Sequence, residues 1–179
     1  PNTLMRGETT LGGYSDIQKC ERKIGSVIRE NGYNEIITYS FISPSYYDKI
    51  CLPKDSPKRD SITILNPLGE DTSIMRTTIL PSMLEILSRN YSYRNLSARL
   101  YEIGRVYFKN QKGLADEPKI ISLGAYGDKM DFYKIKGVVE SILDSVGAEN
   151  VTFTAQRDNP SYHPGRCAEV YSGNTYIGV

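Results

Sequence analysis

The stretch NPLGEDTSIMRTTILPSMLEILSRNYSYRNLSARLYEIGRVYF, residues 66–108, decides the reading of this chain. It divides into a polar loop ending in Met75-Arg76-Thr77, an amphipathic helix opened by Pro81, and a strand over 99–107. Leu80, Met83, Leu84, Leu87 and Tyr91 follow the i, i+3, i+4, i+7, i+11 series of one helical face, which predicts a helix packed on a core. Pro81 suits its first turn, where the missing N–H has no intrahelical partner to lose. The helix is expected to start near residue 80 and to end between Asn90 and Asn95, where the pattern stops.

The strand alternates Leu100, Glu102, Gly104 and Val106 against Arg99, Tyr101, Ile103, Arg105 and Tyr107. Neither face is cleanly apolar. Charge at interior positions fits an edge strand or the floor of a polar cleft.

Working outward, residues 15–31 read as a first helix. Ser15 and Gln18 form a capping box, and Gly32 is placed as the left-handed residue after the end. Its apolar stripe is Ile17, Cys20, Ile24, Val27 and Ile28, with Gly25 in the middle suggesting close approach of another backbone. A strand over 36–41 follows, with Ile37, Tyr39 and Phe41 on one face, then a short helix within 43–50, a polar loop over 51–60 and a strand over 61–65. Beyond the organising stretch come a loop over 109–117, a strand over 119–125 and a helix capped by Asp131 and closed by Gly147. A strand over 151–155 and a hairpin turning at Ser172-Gly173-Asn174 complete the chain. Strict β-α-β alternation is missing, so the fold class expected is α+β on a mostly antiparallel sheet flanked by helices.

With 179 residues, 39% hydrophobic and 24% charged, the chain is of about one domain and of ordinary globular composition. No apolar run approaches the ~20 residues of a membrane span, so no membrane association is expected. The net charge of +1 gives no whole-domain attraction to nucleic acid. The densest basic segments, 54–59 and 89–99, read as solvated loops and helix ends. Cys20, Cys51 and Cys167, an odd count without metal-ligand spacing, point to reduced thiols in a cytoplasm; Cys20 and Cys167 are expected to be small buried hydrophobes. The lone His163 marks a turn and cannot build a metal site, so no metal residues are assigned. Residues 1–14, rich in Gly and Thr, read as a linker from an upstream domain; with 15–179 as the core and the chain stopping inside a strand, a fragment of a longer chain is expected.

NPLGEDTSIMRTTILPSMLEIL (66–87), ARLYEIGRVYF (98–108) and HPGRCAEVYSGNTYIGV (163–179), in this order, closely resemble the β subunit of bacterial phenylalanyl-tRNA synthetase. The resemblance covers nearly the whole chain and implies the class II synthetase-like core of that subunit. It further implies an (αβ)₂ assembly with a catalytic α subunit, tRNA contacts in other parts of the enzyme, and ATP and Mg²⁺ used by the whole enzyme with no cofactor bound by this part. A helix followed by a strand looks like the first class II motif, used for dimerisation, which makes Ile17, Cys20, Ile24, Val27 and Ile28 candidates for subunit contact.

Amino-acid activation needs fixed positive charge against phosphate. In catalytic class II enzymes an Arg and then an acid follow a Gly-Arg-Val-Tyr-like run. After Gly104-Arg105-Val106-Tyr107 this chain has Phe108 in place of the Arg and Asn110 in place of the acid, with Lys109 turned to the other strand face. No counterpart of the Gly-rich third motif appears in 109–179. Both departures predict a domain with no catalytic residues. Arg76, Glu102 and Arg105 remain as a relic ligand cleft or a structural charge pair. An active class II ATP-dependent ligase, with those three as working groups, is the alternative.

Overall fold

The computed structural model describes residue 3 and residues 6–111 and 113–179, so the expected linker and the loop over 109–117 lie partly outside the described residues. Helix α1, Asp16–Glu30, opens on the expected capping box: the Ser15 hydroxyl accepts from the Gln18 N–H, and Gln18 Oε1 accepts from the Ser15 N–H. It closes where Gly32 takes φ +83°, a region that only glycine enters at no steric cost. Helix α2 is a single turn, Tyr46–Lys49. Helix α3, Leu80–Ser92, carries its proline in the first turn, and α4, Phe132–Ser145, is capped by the Asp131 carboxylate on the Lys134 N–H.

Among the described residues the strands form three small sheets. β4, Ala98–Arg105, pairs along its length with antiparallel β5, Lys119–Tyr126, and on its other side with parallel β1, Asn34–Glu35. It is a central strand, and its charged positions do not mark an edge. The expected strand over 36–41 is divided: the Ile36 N–H bonds the Tyr101 carbonyl, after which the chain leaves β4 and pairs as β2, Phe41–Ile42, with β3, Ile74–Met75. The strand expected over 61–65 reduces to a bridge at Thr63 with Ile74. β6, Val151–Ala155, β7, Ala168–Ser172, and β8, Thr175–Gly178, form an antiparallel meander whose last turn has Gly173 at φ +56°.

The two faces of β4 define two layers. Tyr101 packs with Ile28 of α1, Tyr33, and Val138 and Ile142 of α4, a cluster in which each aliphatic residue contributes roughly 1.5–3 kcal/mol by burial. On the opposite face, Gly104 lies under Ile79, and Gly124 of β5 lies under Met83 and Leu87 of α3. Leu84 and Tyr91 of the expected α3 stripe face outward, Tyr91 edge-on to Tyr126. Gly25 is buried against the side chains of Arg29 and Tyr101; close approach there involves side chains and not a second backbone. Cys167 is buried as expected, but Cys20 is exposed and lies outside the cluster that α1 forms with the sheet. Among the described residues no helix is long and apolar enough to cross a membrane.

Candidate functional site

The chain runs from β3 directly into Arg76, whose side chain points onto the Glu102 face of β4. Arg76 Nη2 donates to Glu102 Oε1 at 2.8 Å, Nη1 donates to the Thr38 hydroxyl at 2.7 Å, and Nε donates to the Arg105 carbonyl at 2.9 Å. Thr38 in turn donates to Glu102 Oε2 at 2.6 Å. Both charged side chains are only 3% exposed. Arg76, Glu102 and Thr38 close a ring, to which the Arg105 carbonyl adds a fourth residue, and the four come from three separate segments. It joins the loop before α3, the stretch between β1 and β2, and the central strand.

Beside it a second buried network fixes the same loop. The Tyr47 hydroxyl lies 2.6 Å from that of Ser61 and 2.9 Å from that of Thr77, and Thr77 Oγ1 donates to the Lys58 carbonyl. Thus the residues on both sides of the Met75-Arg76-Thr77 run are tied to different parts of the scaffold, which holds Arg76 in one rotamer at the junction.

The structure brings Arg76 and Glu102 together but separates them from the Arg105 side chain. Arg105 lies on the other strand face, is exposed, and pairs with Glu117 at 3.2 Å; only its carbonyl joins the ring. Lys109 pairs with Asp60, and Phe108 is held by a backbone bridge to Asp116. The Asn110 amide donates to the Asp116 carboxylate at 2.7 Å. His163 accepts the Gly165 N–H in the expected turn.

A phosphate-binding arginine must offer unspent donors to solvent. All three nitrogens of Arg76 bond inside the protein, the side chain is 3% exposed, and Ile79, Met83 and Leu87 cover the floor formed by Gly104 and Gly124. As placed here, Arg76 and Glu102 present no open phosphate site.

The five α1 candidates divide by depth. Ile28 is fully buried, while Ile24 and Val27 pack on the chain's own cluster, so these three face inward; Ile17 and Cys20 are exposed. What sequence reading missed as a surface is the next segment: Ile37 is 91%, Tyr39 82% and Phe41 42% exposed, while Ile36, Thr38, Ser40 and Ile42 turn inward. The alternation was visible. Its direction was not, because a period of two leaves open which side is the core.

A family described as the phenylalanyl tRNA synthetase beta chain CLM domain matches residues 1–179. The chain belongs to this family. It is 41% identical to the phenylalanine–tRNA ligase beta subunit of Clostridium acetobutylicum over 100% of its own length and 23% of that protein's. It is 42% identical to the corresponding subunit of Carboxydothermus hydrogenoformans, again over 23% of that protein. The chain thus spans about a quarter of the length of these relatives. Pyrrolysyl-tRNA synthetase from Desulfitobacterium hafniense shares the fold, with a TM-score of 0.70 at 15% identity over 90% of this chain and 57% of that one. The CLM domain is accordingly a class II synthetase-like fold, with α3 and the β4–β5 hairpin as its centre.

Proposed function

We propose that this CLM domain is a non-catalytic core through which a phenylalanine–tRNA ligase β subunit assembles with its catalytic α subunit in the cytoplasm. One observation carries the reading: the arginine of the cleft is consumed by Glu102, Thr38 and the Arg105 carbonyl, so the fold keeps the synthetase frame while its interior is filled. ATP and Mg²⁺ then belong to the α subunit, and tRNA contacts to other parts of an (αβ)₂ enzyme. The alternative, an active ligase domain, requires Arg76 free for substrate, against its 3% exposure.

The face offered to the α subunit in this reading is Ile37, Tyr39 and Phe41, with Ile17 and Cys20 as the exposed remnant of the α1 stripe. Three apolar side chains in one exposed ladder suit a partner that covers them. Co-expression with the α subunit tests this. The chain is expected to co-elute with α on size exclusion, and Ile37→Lys/Tyr39→Glu is expected to abolish co-elution with an unchanged far-UV circular dichroism spectrum. Retained co-elution would move the interface elsewhere. Separately, Mg-ATP titrated calorimetrically into the chain, with and without phenylalanine, is expected to give no saturable heat; micromolar binding would return Arg76 and Glu102 to the role of ligands.

A further inference from the structure

The face of β4 opposite Glu102 leads to a second polar feature. Tyr33, just beyond the glycine that closes α1, is 4% exposed, and its hydroxyl has no hydrogen-bond partner among the described residues. An orphaned buried hydroxyl costs roughly 1–3 kcal/mol and calls for an explanation. Tyr33 lines a cavity of about 220 Å³ together with Asn31, Arg99, Met130, Lys134 and Val138. A single water needs only roughly 10–15 Å³ by such a measure.

Arg99 and Lys134, the charged groups lining this cavity, are donors, and the Asn31 side-chain amide adds an acceptor oxygen beside them. Asn31 Nδ2 is engaged by the Val27 carbonyl at 2.9 Å, and the Asn31 carbonyl takes one N–H of Arg99 at 3.4 Å. Among the described residues, neither Arg99 nor Lys134 makes an ion pair, and the Asp131 carboxylate is occupied in capping α4 through the Lys134 backbone N–H. Lys134 sits in the first turn of α4, where the helix dipole adds positive potential. Arg99 is near enough to the phenol to oppose the upward push that burial exerts on its pKa. The Tyr33 hydroxyl is itself covered, and Met130 in the cavity lining is unbranched and can repack at low cost around a ligand.

We infer that this cavity binds an oxyanion of the phosphate type, with Arg99 and Lys134 supplying charge and the Tyr33 hydroxyl a directed donor. A water would satisfy the hydroxyl but bring no charge to the two cationic residues that line the cavity, whereas a phosphate offers acceptor oxygens to all three donors. The site lies on the α1–α4 side of the sheet, away from the Arg76–Glu102 ring, and is independent of the assembly proposed above.

The test is an ¹H–¹⁵N NMR titration of the chain with inorganic phosphate, ionic strength held constant with chloride. Saturable shifts centred on the Gly32 and Lys134 amides are expected, with affinity falling about ten-fold in Arg99→Gln, the loss of one charged hydrogen bond. Tyr33→Phe is expected to weaken binding several-fold while leaving the thermal midpoint equal or higher, because it deletes an unsatisfied group. A short oligouridylate in a second arm separates the sources: competition with phosphate identifies a nucleic-acid backbone, and its absence a free phosphate-bearing molecule. Shifts that do not saturate, that chloride reproduces, or that survive both substitutions would overturn the site.

Discussion

Arg76→Met is expected to lower the stability of the chain by about 3–5 kcal/mol, measured by urea denaturation at neutral pH, because it strands the Glu102 carboxylate inside the fold. The magnitude follows from geometry. Glu102 loses its 2.8 Å partner while remaining 3% exposed, and the Thr38 hydroxyl, which donates to it at 2.6 Å, is then its remaining side-chain partner. The double substitution Arg76→Met/Glu102→Leu separates charge compensation from packing. A buried ion pair replaced as a unit by apolar residues of similar volume is often neutral, so most of the single-variant loss should return. An additive double variant would instead mean that the ring contributes chiefly as three tethers between segments, with its charges secondary.

Gly104→Ala is expected to cost about 1–3 kcal/mol by overpacking. A Cβ there would stand 2.7 Å from Glu102 Oε1 and 2.8 Å from Ile79 Cδ1, and closer still to Arg76 Nη2. None of these neighbours can retreat freely, since Arg76 and Glu102 are bonded to each other and Ile79 is fully buried. Gly137 supplies the opposite sign. It lies within α4 with open space where a Cβ would go, so Gly137→Ala should stabilise the chain by about 0.5–1 kcal/mol through helix propensity. A loss at Gly137 equal to that at Gly104 would show that spare volume is not what distinguishes the two positions.

Together these expectations bear on function. A catalytic class II site keeps its cleft open for nucleotide and amino acid, and the stability of its scaffold has to come from elsewhere. In this chain the Arg76–Glu102 face of β4 and β5 is covered by a closed polar ring and by the α3 side chains Met83 and Leu87, which makes it an interior. The surface proposed above for a partner, the apolar ladder at Ile37, Tyr39 and Phe41, lies exposed outside that interior.

The sequence by itself determined what depends on neighbours along the chain. Ser15 with Gln18, Pro81, Asp131 and Gly173 placed helix ends and a turn to within a residue or two, because caps and turns are satisfied by groups three or four positions away. It also carried the expectation that Phe108 and Asn110 stand where catalytic class II enzymes have the motif arginine and acid. Tertiary structure alone decided the fate of the remaining charges. Arg76 and Glu102 are separated by a helix and a loop, and only the packing of the β3–α3 junction onto the central strand turned two candidate ligands into a buried pair while leaving Arg105 on the opposite face. The same holds for Ile37, Tyr39 and Cys20, apolar in sequence yet exposed, and for the unpaired hydroxyl of Tyr33. Periodicity tells which residues share a face; which face is covered, and by what, is set by segments far apart in sequence.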